Sequence, residues 1–444
     1  MKIREQAVKT LLRVSREGAY SNLETKKVLR ENHYKEEDRG LYLNIVYGTL
    51  QNKLYLDYLL KKHISKDLNK LDPEVLEILR IAVYQIYFLD KIPPYAAVNE
   101  SVEITGRIKP KARGFVNGVL RNILRSKEAD EAFDFSSFSN EKEALSVRYS
   151  IPVWIIHKYY ETFGAEKAEK IIPLLNEKPP FTIRVNTLKV DRNTLEEKLS
   201  DQGIYCEEGV LDCDALHLSH LGSFENQVQC DPLFTAGCFM IQDQGAMKAA
   251  RFLGPQKTDR VLDMCAAPGG KTTHLSQIME NEGTVIARDI FDSRLKLIEE
   301  TAARLGICNI ETQKTDGCIF RPEDREAFDR VLLDAPCSGL GIIRRKPEIR
   351  YTITKKVRKE LVRIQRQLLD HAVQYLKPGG TLVYCTCTVN SDENERQIER
   401  ALKDYPFMRI EAVSEGVNSI HTSPLDDGCD CFFMAKLKKD CQSC

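Results

Sequence analysis

The alternation of strand-like and helix-like segments from residue 259 onward limits the fold of this chain more than any other feature of its sequence. Short apolar runs bounded by glycine or proline are typical of buried strands, and apolar residues spaced three or four apart are typical of helices. Where the two alternate, the strands form a largely parallel sheet. We therefore predict a C-terminal α/β domain of the Rossmann-like kind. The expected strands are 260–264, 284–289, 329–334, 380–386 and Phe432–Leu437, and the expected helices are 270–281, 293–305, 355–376 and 391–404.

Residues 1–127 show a different pattern, in which apolar side chains recur with the period of a helix. Leu76, Leu79, Val83 and Ile86 follow one another at spacings of three, four and three residues, which is typical of one helix face. Several prolines stand where a helix is expected to begin, a position that tolerates proline. We therefore predict an all-helical N-terminal domain.

The region between these two parts has a mixed character. Residues 128–144 hold six acidic side chains, one lysine and a Ser-Ser pair without a clear period, which favours a linker. Phe181–Thr187 then alternates as a strand does, and a helix is expected between Asp191 and Gly203. The predicted parts of the chain are a helical domain at 1–127, a linker at 128–144, a small α+β subdomain at 145–237 and the α/β domain at 238–440.

The cysteines and the apolar runs indicate a protein of the cytoplasm. No apolar run reaches the roughly 18 residues that a membrane helix needs, and Met1–Gln6 lacks the apolar core of a signal peptide. The 14 cysteines, none of which precedes Cys206, are therefore expected to be reduced thiols. They lack the two spaced ligand pairs of a zinc site, so no metal is expected. The tail Cys441–Cys444 is predicted to be a frayed end.

The charges of the chain are balanced overall but unevenly distributed. The 65 basic and 65 acidic residues leave no net charge that would favour a class of partner. Residues 1–127 carry 24 basic and 15 acidic side chains, a difference of +9, and Arg344–Arg366 holds ten basic residues against Glu348 and Glu360. Such clusters suit a nucleic acid, because each neutralised phosphate releases counterions. Each cluster taken alone is also compatible with an ordinary solvated face.

A turn rich in small residues, Cys265–Lys271, connects the first predicted strand of the α/β domain to its helix. Glycines there let main-chain amides approach a ligand at the helix N-terminus. A phosphate-binding loop would need glycine instead of Cys265, and a dinucleotide fingerprint would need three spaced glycines, so both are excluded. The next strand ends at Asp289, where a carboxylate can accept both ribose hydroxyls of an adenosine, and Asp316 and Asp334 follow near later strand ends. These carboxylates indicate a nucleoside cofactor, unless Asp289 and Asp316 simply cap loops.

Two cysteines stand at strand ends on the same predicted edge of the sheet. Cys337 follows the strand that ends at Asp334, and Cys387 ends the strand that begins after Pro378. A single cysteine of this kind is usually a small buried apolar group. Two thiols and a carboxylate beside a cofactor turn instead indicate covalent catalysis by an activated thiolate.

These motifs resemble those of the RNA 5-methylcytosine methyltransferases of the NOL1/NOP2/Sun family. The resemblance covers roughly residues 145–440 and depends on Cys265–Lys271, Asp334–Gly339 and Thr386–Thr388, which together are highly specific. Residues 1–127 resemble the NusB-like RNA-binding domain. The pairing of the two parts is similar to that of bacterial methyltransferases of small-subunit ribosomal RNA, which implies 16S ribosomal RNA as the partner.

The resemblance implies a role for each site residue. A thiolate that adds to carbon 6 of cytosine makes carbon 5 nucleophilic towards the methyl group of the cofactor S-adenosylmethionine. In this family the Thr-Cys cysteine, here Cys387, attacks the base, and the Pro-Cys cysteine, here Cys337, helps to release the product. DNA cytosine methyltransferases attack with the Pro-Cys cysteine instead, so only the resemblance assigns these two roles. Asp334 would stabilise the charge that develops on the ring. The implied cofactor contacts are Cys265, Ala266, Ala267, Pro268, Gly269, Gly270, Lys271, Asp289, Asp316 and Asp334.

Two other functions remain open at this point. An RNA-binding factor could retain an inactive methyltransferase fold, although the intact set of Cys337, Cys387 and Asp334 argues against it. A methyltransferase of transfer RNA or of protein is the second alternative. The family usually ends in Asp-Gly-Phe-Phe, whereas this chain has Asp430–Phe433 with cysteine in the second place, which puts the turn before the last strand in doubt. The sequence sets neither the modified nucleotide nor the oligomeric state, for which a monomer is the expectation.

Overall fold

The computed structural model describes residues 3–32, 34–128, 138–222 and 224–441. The helices are α1 (Ile3–Glu17), α2 (Ser21–Glu31), α3 (Glu36–Gln51), α4 (Lys53–Lys61), α5 (Pro73–Phe88), α6 (Pro94–Ile108), α7 (Arg113–Glu128), α8 (Glu141–Tyr149), α9 (Val153–Phe163), α10 (Ala165–Leu174), α11 (Arg192–Ser200), α12 (Phe224–Gln227), α13 (Pro232–Thr235), α14 (Gln244–Leu253), α15 (Gly270–Ile278), α16 (Asp292–Leu305), α17 (Ile349–Thr352), α18 (Lys355–Tyr375) and α19 (Glu395–Asp404). The strands are β1 (Phe181–Val185), β2 (Tyr205–Glu208), β3 (Ala215–Ser219), β4 (Phe239–Ile241), β5 (Arg260–Asp263), β6 (Thr284–Asp289), β7 (Ile310–Lys314), β8 (Phe328–Asp334), β9 (Leu376–Thr386), β10 (Met408–Ile410), β11 (Ile420–His421) and β12 (Phe433–Lys439).

One compact unit consists of Met1–Glu177 together with Ile343–Thr354. Its described part is helical, which confirms the all-helical prediction for the N-terminal domain. Helix α5 lies at its centre and contributes buried side chains to two apolar clusters. The four residues that carried the periodicity argument are all buried in α5. The helix begins with Pro73 in its first turn, and the carboxylate of Asp72 accepts a hydrogen bond from the amide of Glu74.

The segment Ile343–Thr354 belongs to this helical unit although it is distant in sequence. The guanidinium of Arg350 is 1% exposed and donates to five oxygen atoms. Its partners are the main-chain oxygens of Gln51, Tyr149, Ser150 and Leu175 and the side-chain oxygen of Asn176. The carboxylate of Glu348, also buried, accepts hydrogen bonds from the amide and hydroxyl of Ser21. Arg350 and Glu348, which both lie within the segment Arg344–Arg366, are therefore structural. A buried guanidinium needs acceptors, and a buried carboxylate needs donors, to offset their lost hydration.

The second compact unit consists of Lys178–Ile342 and Lys355–Cys444, and it contains two sheets. The smaller sheet is antiparallel, with the strand order β2-β3-β1-β4. Helix α11 packs beside it and begins after Asp191, whose carboxylate accepts from the amide of Thr194. Apolar residues of β1, β3, β4 and α11 form one core cluster. These elements confirm the predicted α+β subdomain.

The larger sheet has the order β10-β12-β9-β8-β5-β6-β7, with β11 added on β12. Strands β9, β8, β5, β6 and β7 pair in parallel, and β12 runs antiparallel to β9. Helices pack on both faces, with α18 and α19 on one core cluster and α14 and α15 on the other. All five predicted strands are present, which confirms the α/β prediction. The parallel strands β5, β6, β8 and β9 end at the same edge, and the loops that follow them carry the predicted site residues.

Some element boundaries differ from the sequence predictions. Helix α19 begins at Glu395 and not at residue 391, because residues 391–394 form a turn. Residues 129–137 of the predicted linker lie outside the described residues, as do the last three residues of the predicted frayed end. The four predicted domain boundaries stay predictions. In the described ranges, no helix is both long and apolar enough to cross a membrane.

Candidate active site

The turn between β5 and α15 is fixed by the main chain on both sides. The amide of Ala266 donates to the main-chain oxygen of Arg288 in β6, and the amide of Gly269 donates to the oxygen of Ala266, both at 2.8 Å. Gly269 has a φ angle of 100°, a left-handed conformation that a side chain disfavours, and an added Cβ would lie 3.2 Å from Ile298. The turn therefore needs glycine here, and it leads directly into the N-terminus of α15.

Asp289 and Asp316 lie at the ends of neighbouring strands but in different surroundings. The side chain of Asp289, which is 4% exposed, accepts from the amide of Phe291 at 3.1 Å and pairs with Arg294 at 3.1 Å. Asp316 is exposed and accepts from the amide of Cys318 at 2.9 Å. Both carboxylates therefore stabilise loops. An ionised carboxylate has about four acceptor positions, so Asp289 can still bind a ligand.

Cys265 lies where the ends of three strands come together. Burial raises the pKa of its thiol well above the usual range, and the charges of Asp263, Asp334 and Asp289 raise it further. Burial also raises the pKa of Asp263 to about 7, against the opposing effect of a hydrogen bond from the Thr272 hydroxyl at 2.8 Å. Three carboxyl groups thus surround the turn, an arrangement that suits a ligand with hydroxyl donors and positive charge.

An ion pair connects the turn to the end of β8. Lys271 Nζ donates to Asp334 Oδ2 at 2.6 Å, and Cys385 Sγ donates to Asp334 Oδ1 at 3.4 Å. Burial lowers the pKa of Lys271, but the charges of Asp334, Cys385 and Cys387 outweigh burial and leave the pKa above its usual value. The ammonium group of Lys271 therefore stays charged beside the carboxylate of Asp334 and the thiols of Cys385 and Cys387.

The two predicted cysteines are in direct contact. Cys337, in the loop after β8, and Cys387, directly after β9, have their sulfur atoms 3.4 Å apart. The hydrogen bond to Cys387 and burial raise the pKa of Cys337 well above the usual range. Cys337 is therefore a protonated thiol at neutral pH and can donate a hydrogen bond to the sulfur of Cys387.

The structure brings most of the predicted residues together and adds others. Lys271, Asp334, Cys337 and Cys387 form one cluster, and the remaining turn residues and Asp289 lie along the adjoining strand ends, whereas Asp316 remains exposed. Sequence reasoning missed several buried polar groups that contact this cluster or its loops. Four of them are Asp263, Cys385, Glu393 and Asn394. The position of Asp263 at the end of a predicted strand, as for Asp289 and Asp334, is the signal that could have identified it.

Comparison with known proteins assigns a family to each part of the chain. Residues 250–438 match the family described as 16S rRNA methyltransferase RsmB/F, residues 1–125 match the NusB family, and residues 151–225 match the ferredoxin-like domain of RsmF/B-like methyltransferases. A probable ribosomal RNA small subunit methyltransferase B of Bacillus subtilis is 39% identical over 414 residues, which cover 91% of this chain and 89% of that protein. The chain belongs to the RsmB/F family. Like the other RsmB/F methyltransferases, it is an S-adenosylmethionine-dependent enzyme that methylates ribosomal RNA.

Solved structures agree with this membership. The crystal structure of the protein PH0851 matches 98% of this chain and 99% of its own, with a TM-score of 0.80 and 25% identity. NSun6 from Pyrococcus horikoshii, solved with the S-adenosylmethionine analogue SFG, matches 65% of this chain and 98% of its own, with a TM-score of 0.56 and 25% identity. These matches confirm the predicted fold class and the NOL1/NOP2/Sun resemblance. The NusB family match over residues 1–125 confirms the NusB-like interpretation of the N-terminal helices.

The RsmB/F cofactor, S-adenosylmethionine, suits the residues around the turn. It carries two ribose hydroxyls and positive charges on its sulfonium and ammonium groups. The nearly buried carboxylate of Asp289 can accept from hydroxyls, and the carboxyl groups around Cys265 offset positive charge.

The cysteine that departs from the family's usual ending is accommodated by close main-chain packing. Cys431 is 1% exposed, and its amide donates to the oxygen of Gly341 at 3.1 Å. The amide of Gly341 donates in turn to the oxygen of Cys387 at 2.9 Å. A Cβ on Gly341 would lie 2.0 Å from the main-chain oxygen of Cys431. The close contact between these two main-chain segments therefore requires glycine at position 341 and accepts a cysteine at position 431. The strand β12 begins two residues after Cys431, close to its predicted start.

Proposed function

We propose that this enzyme methylates carbon 5 of a specific cytosine in 16S ribosomal RNA through a covalent bond between Cys387 and the base. The contact between the sulfur atoms of Cys337 and Cys387, beside the Lys271–Asp334 ion pair, supports this proposal most strongly. Methylation of a nitrogen or oxygen atom needs no thiol, because the lone pair of that atom attacks directly. A carbon atom with no such lone pair must first be activated, which is what a nucleophilic thiolate does.

Each residue of the cluster has a task in this reaction. Bound S-adenosylmethionine supplies an electrophilic methyl group. The thiolate of Cys387, whose proton has passed to solvent, bonds to carbon 6 of the cytosine. The double bond between carbons 5 and 6 opens, which makes carbon 5 electron-rich and able to accept that methyl group. Asp334, held by Lys271, contacts the polar edge of the ring and offsets the charge that develops there.

Release of the product follows from the second thiol. After methyl transfer, solvent water takes the proton from carbon 5, the double bond between carbons 5 and 6 forms again, and the sulfur of Cys387 departs with a proton that Cys337 donates. Cys337 assists this elimination, because its protonated sulfur is in hydrogen-bond contact with the departing one. Since both thiols must stay reduced, we also propose that the enzyme acts in the cytoplasm.

Methylation of a defined cytosine can be tested directly on ribosomal RNA. Bisulfite sequencing of 16S RNA from a strain that lacks this enzyme should show one cytosine that is protected in the parent strain and converted in the deletion strain. The full chain should restore protection, whereas the Cys387→Ala variant should not. If no cytosine of 16S RNA changes its conversion, the proposed substrate is wrong.

The basic surface of α18 is proposed to bind the RNA backbone. Lys355, Lys359 and Arg366 are exposed and border a groove of about 350 Å³ that Arg396 also lines. RNA affinity falls with salt, and the steepness is the slope of log affinity against log salt concentration. Replacing these three residues of α18 with alanine should reduce the magnitude of that slope by about 2 to 3, because each phosphate contact contributes roughly 0.7 to 0.9 to it. Titrations of RNA binding at several salt concentrations would measure this slope.

Arg363 provides the matched control for this measurement. It lies on the same helix, but its guanidinium pairs with Glu360 at 2.7 Å. Its charge is therefore already offset, and Arg363→Ala should change the slope less than any one of the other three substitutions. An unchanged slope in the triple variant would mean that the RNA follows another surface.

A further inference from the structure

The dipeptide Glu393–Asn394 lies in the turn between β9 and α19 and is fully buried, with exposures of 0% and 1%. The sequence Ser391–Glu395 is almost entirely polar and would ordinarily face solvent. Burial of a carboxyl and an amide side chain is costly unless their hydrogen bonds are satisfied. The partners of these two side chains therefore indicate why the turn is buried.

Glu393 binds the loop that carries Cys337. Its Oε2 accepts from the amide of Ser338 at 2.8 Å and from Nε2 of Gln365 at 3.0 Å. Its Oε1 accepts from the hydroxyl of Ser338 at 2.6 Å and from Nδ2 of Asn390 at 2.8 Å. Ser338 directly follows Cys337, so two of the four hydrogen bonds fix the main chain and side chain next to this thiol.

Asn394 binds the main chain on both sides of Cys387. Its Oδ1 accepts from the hydroxyl of Thr386 at 2.6 Å, and its Nδ2 donates to the main-chain oxygen of Thr388 at 2.9 Å. These two threonines are the immediate neighbours of Cys387 in the chain. Asn394 thus fixes the segment that carries the nucleophile, as Glu393 fixes the segment that carries the second thiol.

Two further contacts make the arrangement rigid. The hydroxyl groups of Ser338 and Thr388 are 2.8 Å apart, which links the two cysteine loops directly. The hydroxyl of Tyr384, within β9, donates to the main-chain oxygen of Glu393 at 2.6 Å. The dipeptide is therefore attached to the strand that leads to Cys387. Loss of either side chain directly removes hydrogen bonds to one cysteine loop and not to the other.

We propose that Glu393 and Asn394 are positioning residues for the two thiols, Glu393 for Cys337 and Asn394 for Cys387, and that together they set the sulfur–sulfur distance of 3.4 Å. This proposal rests on the proposed covalent mechanism. Attack on carbon 6 and expulsion of the sulfur are both sensitive to geometry, and a misplacement of about 1 Å can cost roughly 100-fold in rate. Since each residue holds one thiol, loss of each should impair a different step.

The test uses the full chain with 16S RNA and measures the covalent protein–RNA complex on denaturing gels together with the rate of methyl transfer. Glu393→Ala should still attack the base but release product slowly, so the complex accumulates while turnover falls by about 100-fold. Asn394→Ala should lose complex and turnover together, also by about 100-fold. Cofactor affinity, measured by calorimetry, should be unchanged in both variants.

Two conservative variants separate positioning from folding. Glu393→Gln and Asn394→Asp keep the shape of each side chain and one of its acceptor oxygens, so each should show the effect of its alanine variant to a smaller degree. Gln397→Ala is the matched control, because Gln397 is buried in α19 and donates to the oxygens of Val362 and Asp392 but not to either cysteine loop. Its thermal stability should fall without any change in the ratio of complex to product.

The outcomes are distinguishable. If Glu393→Ala lowers complex and turnover together as Asn394→Ala does, or if Gln397→Ala raises the ratio of complex to product as Glu393→Ala does, the two residues are structural and the positioning proposal is overturned. If Cys337→Ala itself traps no complex, the proposed covalent mechanism fails, whatever the positioning variants do.

Discussion

Cys387→Ala is expected to abolish methylation and to leave no covalent complex with RNA. The substitution removes the only atom proposed to bond to carbon 6, and without that bond carbon 5 is too weak a nucleophile to take the methyl group. Cofactor binding should persist, because Cys387 lies directly after β9 and not in the Cys265–Lys271 turn. A methyl-transfer assay and a denaturing gel with 16S RNA measure both parts of this result.

Cys337→Ala is expected to block the last step of the reaction, the release of the methylated RNA. The nucleophile is intact, so this variant should attack and methylate the base once. It should then stall, because the sulfur 3.4 Å from Cys387 that assists elimination is missing. The complex should survive denaturing conditions, and the double variant should form none, since attack precedes release. Trapping by Cys387→Ala and not by Cys337→Ala would show that the two roles are reversed.

Asp289→Ala is expected to weaken S-adenosylmethionine binding by 100-fold or more. Two hydrogen bonds from the ribose hydroxyls to a charged, nearly buried carboxylate contribute roughly 3 to 6 kcal/mol gross, and about 1.4 kcal/mol corresponds to a factor of ten in Kd. RNA binding should change little. Calorimetric titration with the cofactor provides the measurement.

Asp292 is the matched control for this substitution. It stands three residues further along, is exposed, and pairs with Lys314 at 2.5 Å on the protein surface. Asp292→Ala removes the same charge nearby and should leave cofactor affinity nearly unchanged. Equal affinity of the wild type and Asp289→Ala would mean that Asp289 only stabilises the loop through Phe291 and Arg294.

The elements that sequence reasoning predicted well are those whose own residues determine them. The parallel strands β5, β6, β8 and β9 are largely buried, so they appear in the sequence as apolar runs, and their predicted and observed bounds differ by at most four residues. The missed strands of the larger sheet, β7, β10 and β11, are short or polar and pair at or near its edges. Their strand state comes from their neighbours, which a local pattern does not reveal.

The burial of Arg350 also could not be predicted from local sequence patterns, because it depends on long-range packing. In the sequence, Arg350 belongs to a basic cluster suited to RNA, yet its guanidinium is buried among main-chain oxygens of the helical unit. Those acceptors lie up to 299 residues away in the chain. No periodicity or local charge pattern contains this information, so the two uses of arginine are indistinguishable until the fold is known.

The part of the candidate site that could be predicted consists of reactive or charged residues in motifs at the ends of strands. Lys271, Asp334, Cys337 and Cys387 occur in motifs at strand ends, and the topology of a parallel sheet brings such ends together. Glu393 and Asn394 were missed because a polar run after a strand ordinarily forms an exposed turn or the start of a helix. Their importance depends on which hydrogen-bond donors the folded loops bring to them.

Mass spectrometry of the covalent complex trapped by Cys337→Ala would identify both the residue and the base that are bonded. After digestion of protein and RNA, we expect one cross-linked species in which the peptide containing Cys387 is bonded to a cytidine that already carries the methyl group. A nucleotide attached to any other residue, a base other than cytosine, or a cross-linked cytidine without the methyl group would contradict the proposed mechanism.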